Sequence, residues 1–190
     1  MNKHQNNQDG FSLIELIGVI AIIAILGSLV APRVFSSIED AKVTSVVQDA
    51  QRLRSVALQF YKDTNKLPIH NPADANATAH QLLSNASNIK GWKGPYVEEE
   101  LQSPFQSSTA YYITSGTYPF DVDGDGTDDF KTTSVLILNG VNSEQAKAIS
   151  DAVDHDSDKT GTAAWYDGGK VRTSSSTAAD TTLYIMLVGQ

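Results

Sequence analysis

Residues 11–31, FSLIELIGVIAIIAILGSLVA, form an unbroken apolar run of 21 residues whose only charge is Glu15. As a helix rising about 1.5 Å per residue, the run reaches about 31 Å, close to the roughly 30 Å hydrocarbon core of a bilayer. A stretch this long and this apolar constrains the chain to bury it in lipid or against other apolar helices. A carboxylate near the start of a membrane-spanning helix costs a few kcal/mol unless something pairs with it. A plain anchor has no use for Glu15, whereas a helix that docks beside an identical helix does.

The remainder, about 155 residues, suffices for one core of ordinary domain size. A net charge of −8 and a pI near 4.8 argue against a nucleic-acid partner, whose phosphates call for a basic face. The chain has no cysteine, which excludes disulfide staples, thiolate zinc sites and cysteine nucleophiles. It does not exclude export.

Three readings compete for the N-terminus. A cleaved secretory signal would have a shorter apolar stretch and small residues at a cut site behind it. An uncleaved anchor accounts for the length but for neither Gly10 nor Glu15. The third reading accounts for both: Gly10-Phe11-Ser12-Leu13-Ile14-Glu15 resembles the cleavage and methylation motif of type IV pilins and type II secretion pseudopilins. The resemblance implies a cut between Gly10 and Phe11 by a membrane peptidase that also methylates Phe11. Glu15 then becomes the fifth mature residue, and Pro32 stands where many members of the family carry proline. The leader departs from the family in having Gln8 and Asp9 before the glycine, with Lys3 its only firmly positive side chain. With Arg33 and Lys42 on the far side, charge orients the helix only weakly, and a cytoplasmic leader with an exported head is what the resemblance implies.

Cleavage would leave a positive amine on Phe11, and methylation would keep it charged. Paired with the Glu15 carboxylate of an adjacent subunit at low dielectric, it would offset the cost of both charges and favour one axial register. The alternative is a Glu15 that snorkels to the headgroups.

The helix continues beyond the run. Val46, Ala50, Leu53, Ala57 and Phe60 recur at steps of four and three, with Leu58 and Tyr61 widening the stripe, and Asp49, Arg52, Arg54, Gln59 and Lys62 occupy the other face. The pattern predicts a helix of about 54 residues ending near Asn65, ahead of Leu67-Pro68, with Pro32 removing one hydrogen bond and marking a place for a kink or a melted turn.

Residues 68–110 read as a long surface connection with a short helical stretch, Ala77 to Leu83, and with Trp92, Tyr96, Leu101 and Phe105 as buried pins. Its segment Gly91-Trp92-Lys93-Gly94-Pro95-Tyr96-Val97 resembles the stretch before the sheet in major pseudopilins. Strands are predicted at Ala110–Thr114, Ser134–Leu138, Lys170–Arg172 and Leu183–Val188, and a helix from Asn142 to about Asp154, with Asn142 as cap and Gln145 in the capping-box position. Such elements fit a small antiparallel sheet laid on the amphipathic half of the long helix.

Asp121-Val-Asp123-Gly-Asp125-Gly126-Thr127-Asp128-Asp129 matches the spacing of a calcium loop. Asp121, Asp123 and Asp125 are the side-chain ligands, Thr127 supplies a carbonyl, Asp129 holds the ninth place, and Gly126 allows the sharp turn. Thr132 stands where a glutamate would close an EF-hand, so water or a ligand from elsewhere would complete the shell. Five aspartates in nine residues repel one another unless a cation neutralises them. The plain alternative is an acidic turn held by Asx-type hydrogen bonds. A second cluster, Asp151, Asp154, Asp156 and Asp158, reads as the solvated end of a helix and its turn.

Nothing points to catalysis. His4, His70, His80 and His155 show no metal-ligand spacing, Gly124 and Gly126 sit among aspartates that would repel phosphate, and Ser12 has no nearby base.

The reading is an α+β protein with the pilin fold. It comprises a leader at 1–10, a transmembrane and polymerisation helix at 11–32, an amphipathic helix at 33–66 and an antiparallel sheet head at 67–190. The resemblance implies a structural subunit of a type IV pilus-like filament, resident in the inner membrane as a precursor and later in an extracellular or periplasmic filament. Its implied partners are identical or related pilin subunits, the prepilin peptidase/methylase and an inner-membrane assembly platform, with calcium as cofactor. A type II secretion pseudopilin is the first alternative, favoured by the missing cysteines and the calcium loop. A membrane-anchored calcium-binding or adhesive domain that never polymerises is the second.

Overall fold

The computed structural model describes residues 12–71, 80–99, 102–105, 111–123, 125, 127–154, 169–173 and 181–190. In chain order the elements are α1 (Leu13–Thr64), β1 (Tyr112–Gly116), β2 (Thr133–Val141), α2 (Ser143–Asp154), β3 (Val171–Thr173) and β4 (Thr181–Gly189). The chain divides into two compact units, Met1–Asp40 and Ala41–Gln190.

In the first unit α1 is exposed on every side. Every residue from Ser12 to Ile38 is exposed, and side chains as large as Leu13, Ile25 and Phe35 stand 77%, 63% and 67% exposed. Water does not tolerate a contiguous apolar surface of this kind, so it belongs to a lipid or protein environment. By length and composition α1 is able to cross a membrane. Pro32 does not end it: the helix runs through proline without a melted turn.

In the second unit Val46, Ala50, Leu53, Ala57 and Phe60 are all buried, as the spacing requires. Burying a side chain such as Leu53 or Phe60 is worth about 1.5–3 kcal/mol. Tyr61 packs at the edge of this core, but Leu58, expected in the stripe, is 38% exposed because it falls on the solvent side of the turn. The helix stops at Thr64 because Asn65 turns left-handed (φ 54°) and donates its N–H to the Tyr61 carbonyl at 2.7 Å.

The sheet is antiparallel throughout, in the order β1-β2-β4-β3. Its strands cover the predicted ones with ends shifted by one to three residues, and Ala110 lies outside the described residues. Leu136, Leu138, Leu183 and Ile185 face the core shared with α1, while Val135, Ile137, Tyr184 and Met186 face the other way into a second apolar cluster. The sheet is therefore covered on both faces, which explains the nearly continuous apolar runs of β2 and β4. Two register shifts interrupt the β2–β4 ladder, and Gly140, with φ 73°, sits in the one between Leu138 and Val141. α2 begins with the predicted reciprocal cap: Gln145 N–H donates to Asn142 Oδ1 (2.9 Å) and Asn142 N–H to Gln145 Oε1 (3.1 Å).

The connection from α1 to β1 is pinned differently from the expectation. Its buried anchors are Leu82, Ile89 and Val97, whereas Trp92, Tyr96 and Phe105 pack only partly against the core; Leu101 lies outside the described residues. Trp92 and Tyr96 carry polar atoms that need partners, so they stay at the margin: Trp92 Nε1–H donates to the Gln81 carbonyl at 2.8 Å and Tyr96 OH to Asp63 Oδ2 at 3.0 Å. Of the predicted helix, 77–79 lie outside the described residues, and from His80 the chain makes a single turn, with the N–H groups of Leu83 and Ser84 donating to the His80 carbonyl.

Lys93 Nζ also reaches Asp63, at 2.8 Å, and the hydrogen bond and charge of Lys93 hold the Asp63 carboxyl below the ordinary carboxylate range. Gly91 makes this approach possible. Its φ is 85°, and a Cβ there would lie 2.2 Å from the Asp63 carbonyl oxygen. Gly91→Ala is expected to cost at least about 1–3 kcal/mol through backbone strain alone, read as a lowered Tm with the far-UV spectrum retained.

Candidate functional site: the helix start and the aspartate loop

Two groups of sequence-marked residues can be placed. At the start of α1, Gly10 and Phe11 lie outside the described residues and Glu15 stands in the first turn. Ser12 N–H donates to Glu15 Oε2 at 2.8 Å, and the Ser12 carbonyl accepts from the N–H groups of Glu15 (3.1 Å) and Leu16 (3.2 Å). Glu15 thus supplies the glutamate half of a capping box, satisfying a donor that the helix itself leaves open. The sequence reading gave Glu15 an intermolecular partner and overlooked this local one. The signal was present in the Ser-x-x-Glu spacing.

The aspartate loop is built into the head. Phe120, immediately before it, is fully buried under the outer face of the sheet with Val135 and Met186, and Tyr118, Val122 and Phe130 pack around them. Phe130 lies so close to Gly189 that a Cβ there would meet its ring at 2.4 Å. The loop closes on itself through Asp129 N–H, which donates to the Phe120 carbonyl (2.9 Å), and Val122 N–H, which donates to Asp129 Oδ2 (2.6 Å). From outside, Gly169 N–H donates to the Asp121 carbonyl at 2.8 Å and the Arg172 guanidinium donates to the Pro119 carbonyl.

Within this frame one carboxylate oxygen from each of Asp121, Asp123 and Asp129 lies within 4.8 Å of the other two. Asp125 does not join them. Its Oδ1 accepts from the Thr127 hydroxyl and N–H (2.8 Å for the latter), and these bonds hold its carboxyl below the ordinary range. Asp125 N–H in turn points to Asp121 Oδ1 (3.1 Å) and Asp123 Oδ1 (3.2 Å). Gly126 lies outside the described residues. Three hard oxygen donors of like charge, converging at the tip of an anchored loop, have the chemistry that a divalent cation such as calcium requires.

The second acidic cluster is used structurally where it is described. Lys147 Nζ donates to Asp151 Oδ2 at 2.5 Å, and Lys170 N–H to Asp154 Oδ1 at 2.8 Å. Asp156 and Asp158 lie outside the described residues.

An apolar exposed half-helix opened by a glutamate cap, followed by an amphipathic half that carries an antiparallel sheet, defines a protein tethered or assembled through its N-terminal helix. Comparison with known proteins makes this specific. Residues 5–31 match the family model of the prokaryotic N-terminal methylation motif, and residues 37–117 match that described as PilW, C-terminal. The type II secretion system core protein G of Xanthomonas campestris pv. campestris is 30% identical over 60% of this chain and 76% of its own length. The type IV major pilin protein PilE1 of Neisseria gonorrhoeae is 34% identical over 44% of this chain and 36% of its own. The solved structure of the major type IV pilin PilA1 from Clostridium difficile aligns with a TM-score of 0.45 at 20% identity, over 80% of this chain and 98% of that one. The chain belongs to the family of type IV pilins and type II secretion pseudopilins, whose named members here are structural proteins.

Proposed function

We propose that this chain is a structural subunit of a type IV pilus-like filament, made as an inner-membrane precursor, cut after Gly10, methylated on Phe11 and assembled through α1. The observation that carries the reading is a half-helix with every side chain exposed from Ser12 to Ile38, opened by Glu15 directly behind the Gly10-Phe11 motif. In the filament the exposed apolar surface is covered by the same surface of other copies, and the Phe11 amine and Glu15 of neighbouring subunits neutralise each other. A prepilin peptidase/methylase and an inner-membrane platform are the partners this route needs, and no catalytic role is proposed. The test is mass spectrometry and N-terminal sequencing of the protein from its host. A methylated Phe11 is expected, and a chain still beginning at Met1 would overturn the reading.

A periplasmic pseudopilus is the second reading, favoured by the relative of which this chain covers 76%, a type II secretion core protein. Electron microscopy of cell-surface filaments separates the two.

For the aspartate loop we propose calcium, held by Asp121, Asp123 and Asp129, with Asp125 shaping the turn and the Thr127 carbonyl and water completing the shell. Calcium at 100 times its Kd is expected to stabilise the purified protein by about 2.7 kcal/mol, a rise in Tm of about 5–10 °C. Asp129→Ala should abolish the rise. Equal melts with calcium and with chelator would return the loop to an ordinary acidic turn.

A further inference from the structure

The second unit carries its charges unevenly. Between Ala41 and Lys66 the chain has two carboxylates, Asp49 and Asp63, and both are taken up within the head. Asp49 Oδ2 accepts from Tyr111 OH at 2.9 Å, and Asp63 holds Lys93 and Tyr96. The outward side of α1 and its end are left with Arg52, Arg54, Lys62 and Lys66, all exposed. Among the described residues none of these four cations is in a salt bridge.

The rest of the head has the opposite balance. From Leu67 to Gln190 it carries sixteen carboxylate residues against seven Lys and Arg. Where described, most of these acids are already engaged: Asp151 with Lys147, Asp154 with the Lys170 N–H, and the aspartate loop with its own N–H groups. Four acids remain, Asp128, Glu144, Glu98 and Glu99, all exposed and, among the described residues, in no salt bridge, and of these four the two that are adjacent are Glu98 and Glu99. They also stand on a fixed stretch, because Val97 beside them is 6% exposed and the N–H groups of Tyr96 (2.8 Å) and Val97 (3.4 Å) both donate to the Leu82 carbonyl.

We infer that the cationic side of α1 on one copy, centred on Arg52 and Lys62, receives the Glu98–Glu99 pair of the next copy. The inference rests on the filament reading and gives it a contact between heads. Two different patches that complement each other form a heterologous interface, which repeats along an open helix instead of closing into a two-fold dimer. Charge complementarity at such a rim selects partner and register more than it adds affinity. A second copy is a better occupant than anionic lipid, because a chain of net charge −8 is repelled by a negative surface, while every copy brings both patches in equal number.

The test uses the full chain in its host, with filament yield as the readout. Arg52→Glu with Lys62→Glu, and separately Glu98→Lys with Glu99→Lys, should each cut the yield about tenfold, and the four changes together should restore it. All four sites are exposed, so the Tm of each variant should stay within about 1–2 °C of the parent. Normal yield from both reversals, or no recovery in the combination, would overturn the pairing. So would a loss of binding to phosphatidylserine vesicles in Arg52→Glu/Lys62→Glu while Glu98→Lys/Glu99→Lys assembles normally. The parent chain and Glu15→Ala run in parallel separate the two ideas: if the parent assembles and Glu15→Ala does not while the reversals succeed, the head contact alone is wrong, and if the parent itself yields no filaments, the filament reading is wrong.

Discussion

Glu15→Ala is expected to abolish filament formation while leaving the protein in the membrane and its head folded. The apolar run is long enough to hold the bilayer without the carboxylate, and removing a charge makes insertion easier. What is lost is the counter-charge for the Phe11 amine of the neighbouring subunit, and an unpaired buried amine costs about 3–5 kcal/mol per contact. Repeated at every subunit of a polymer, that loss brings assembly below detection. The capping box adds a control. Ser12 N–H donates to Glu15 Oε2, so Glu15→Gln keeps a side-chain acceptor in reach of the helix start while deleting the charge. If charge pairing is the function of Glu15, Gln fails as completely as Ala. If Gln assembles normally, the cap is what matters. Electron microscopy of sheared filaments and membrane fractionation read both outcomes.

Phe120→Ala is expected to be the most damaging single truncation outside the α1 core. The ring is fully buried under the outer face of the sheet, and Phe→Ala at such a site costs about 3–5 kcal/mol. Its effect should exceed stability. Phe120 precedes the first aspartate of the loop, and its carbonyl takes the Asp129 N–H that brings the ninth position back to the first. With the anchor gone, the convergence of Asp121, Asp123 and Asp129 has to be restored from binding energy, so calcium affinity should fall along with the Tm. Calorimetric titration separates this from an independent turn: a variant that melts early yet binds calcium as tightly as the parent would show that the loop forms without its anchor.

Much of the first half was legible because its signals are local. The apolar run, the Gly10-Phe11…Glu15 motif, the stripe from Val46 to Phe60 and the end of α1 at Thr64 depend on residues within one or two turns of one another. The α2 cap was legible for the same reason, since Asn142 and Gln145 are three residues apart. The calcium-loop spacing was visible too, but which aspartates converge was not. Asp125 fits the pattern, yet its carboxylate closes on Thr127 while Asp121, Asp123 and Asp129 come together. The pins of the 68–110 connection were misjudged because size was taken for burial. Trp92 and Tyr96 are large but carry N–H and O–H groups that keep them at the margin, whereas Leu82, Ile89 and Val97 have no such requirement.

By itself the sequence determined the long helix, its change from uniformly apolar to amphipathic, the family motif at its start and the existence of an acidic loop, because composition and short-range period are properties of neighbouring residues. Only the tertiary structure decided that β2 and β4 are buried on both faces, that Phe120 and Phe130 fasten the aspartate loop to the sheet, and that Asp49 and Asp63 are consumed by Tyr111, Lys93 and Tyr96. Those outcomes turn on partners 30 to 62 positions apart for the two helix aspartates. Which distant side chain satisfies a buried ring or a carboxylate is settled by how the chain packs, and a linear order of residues carries no record of it.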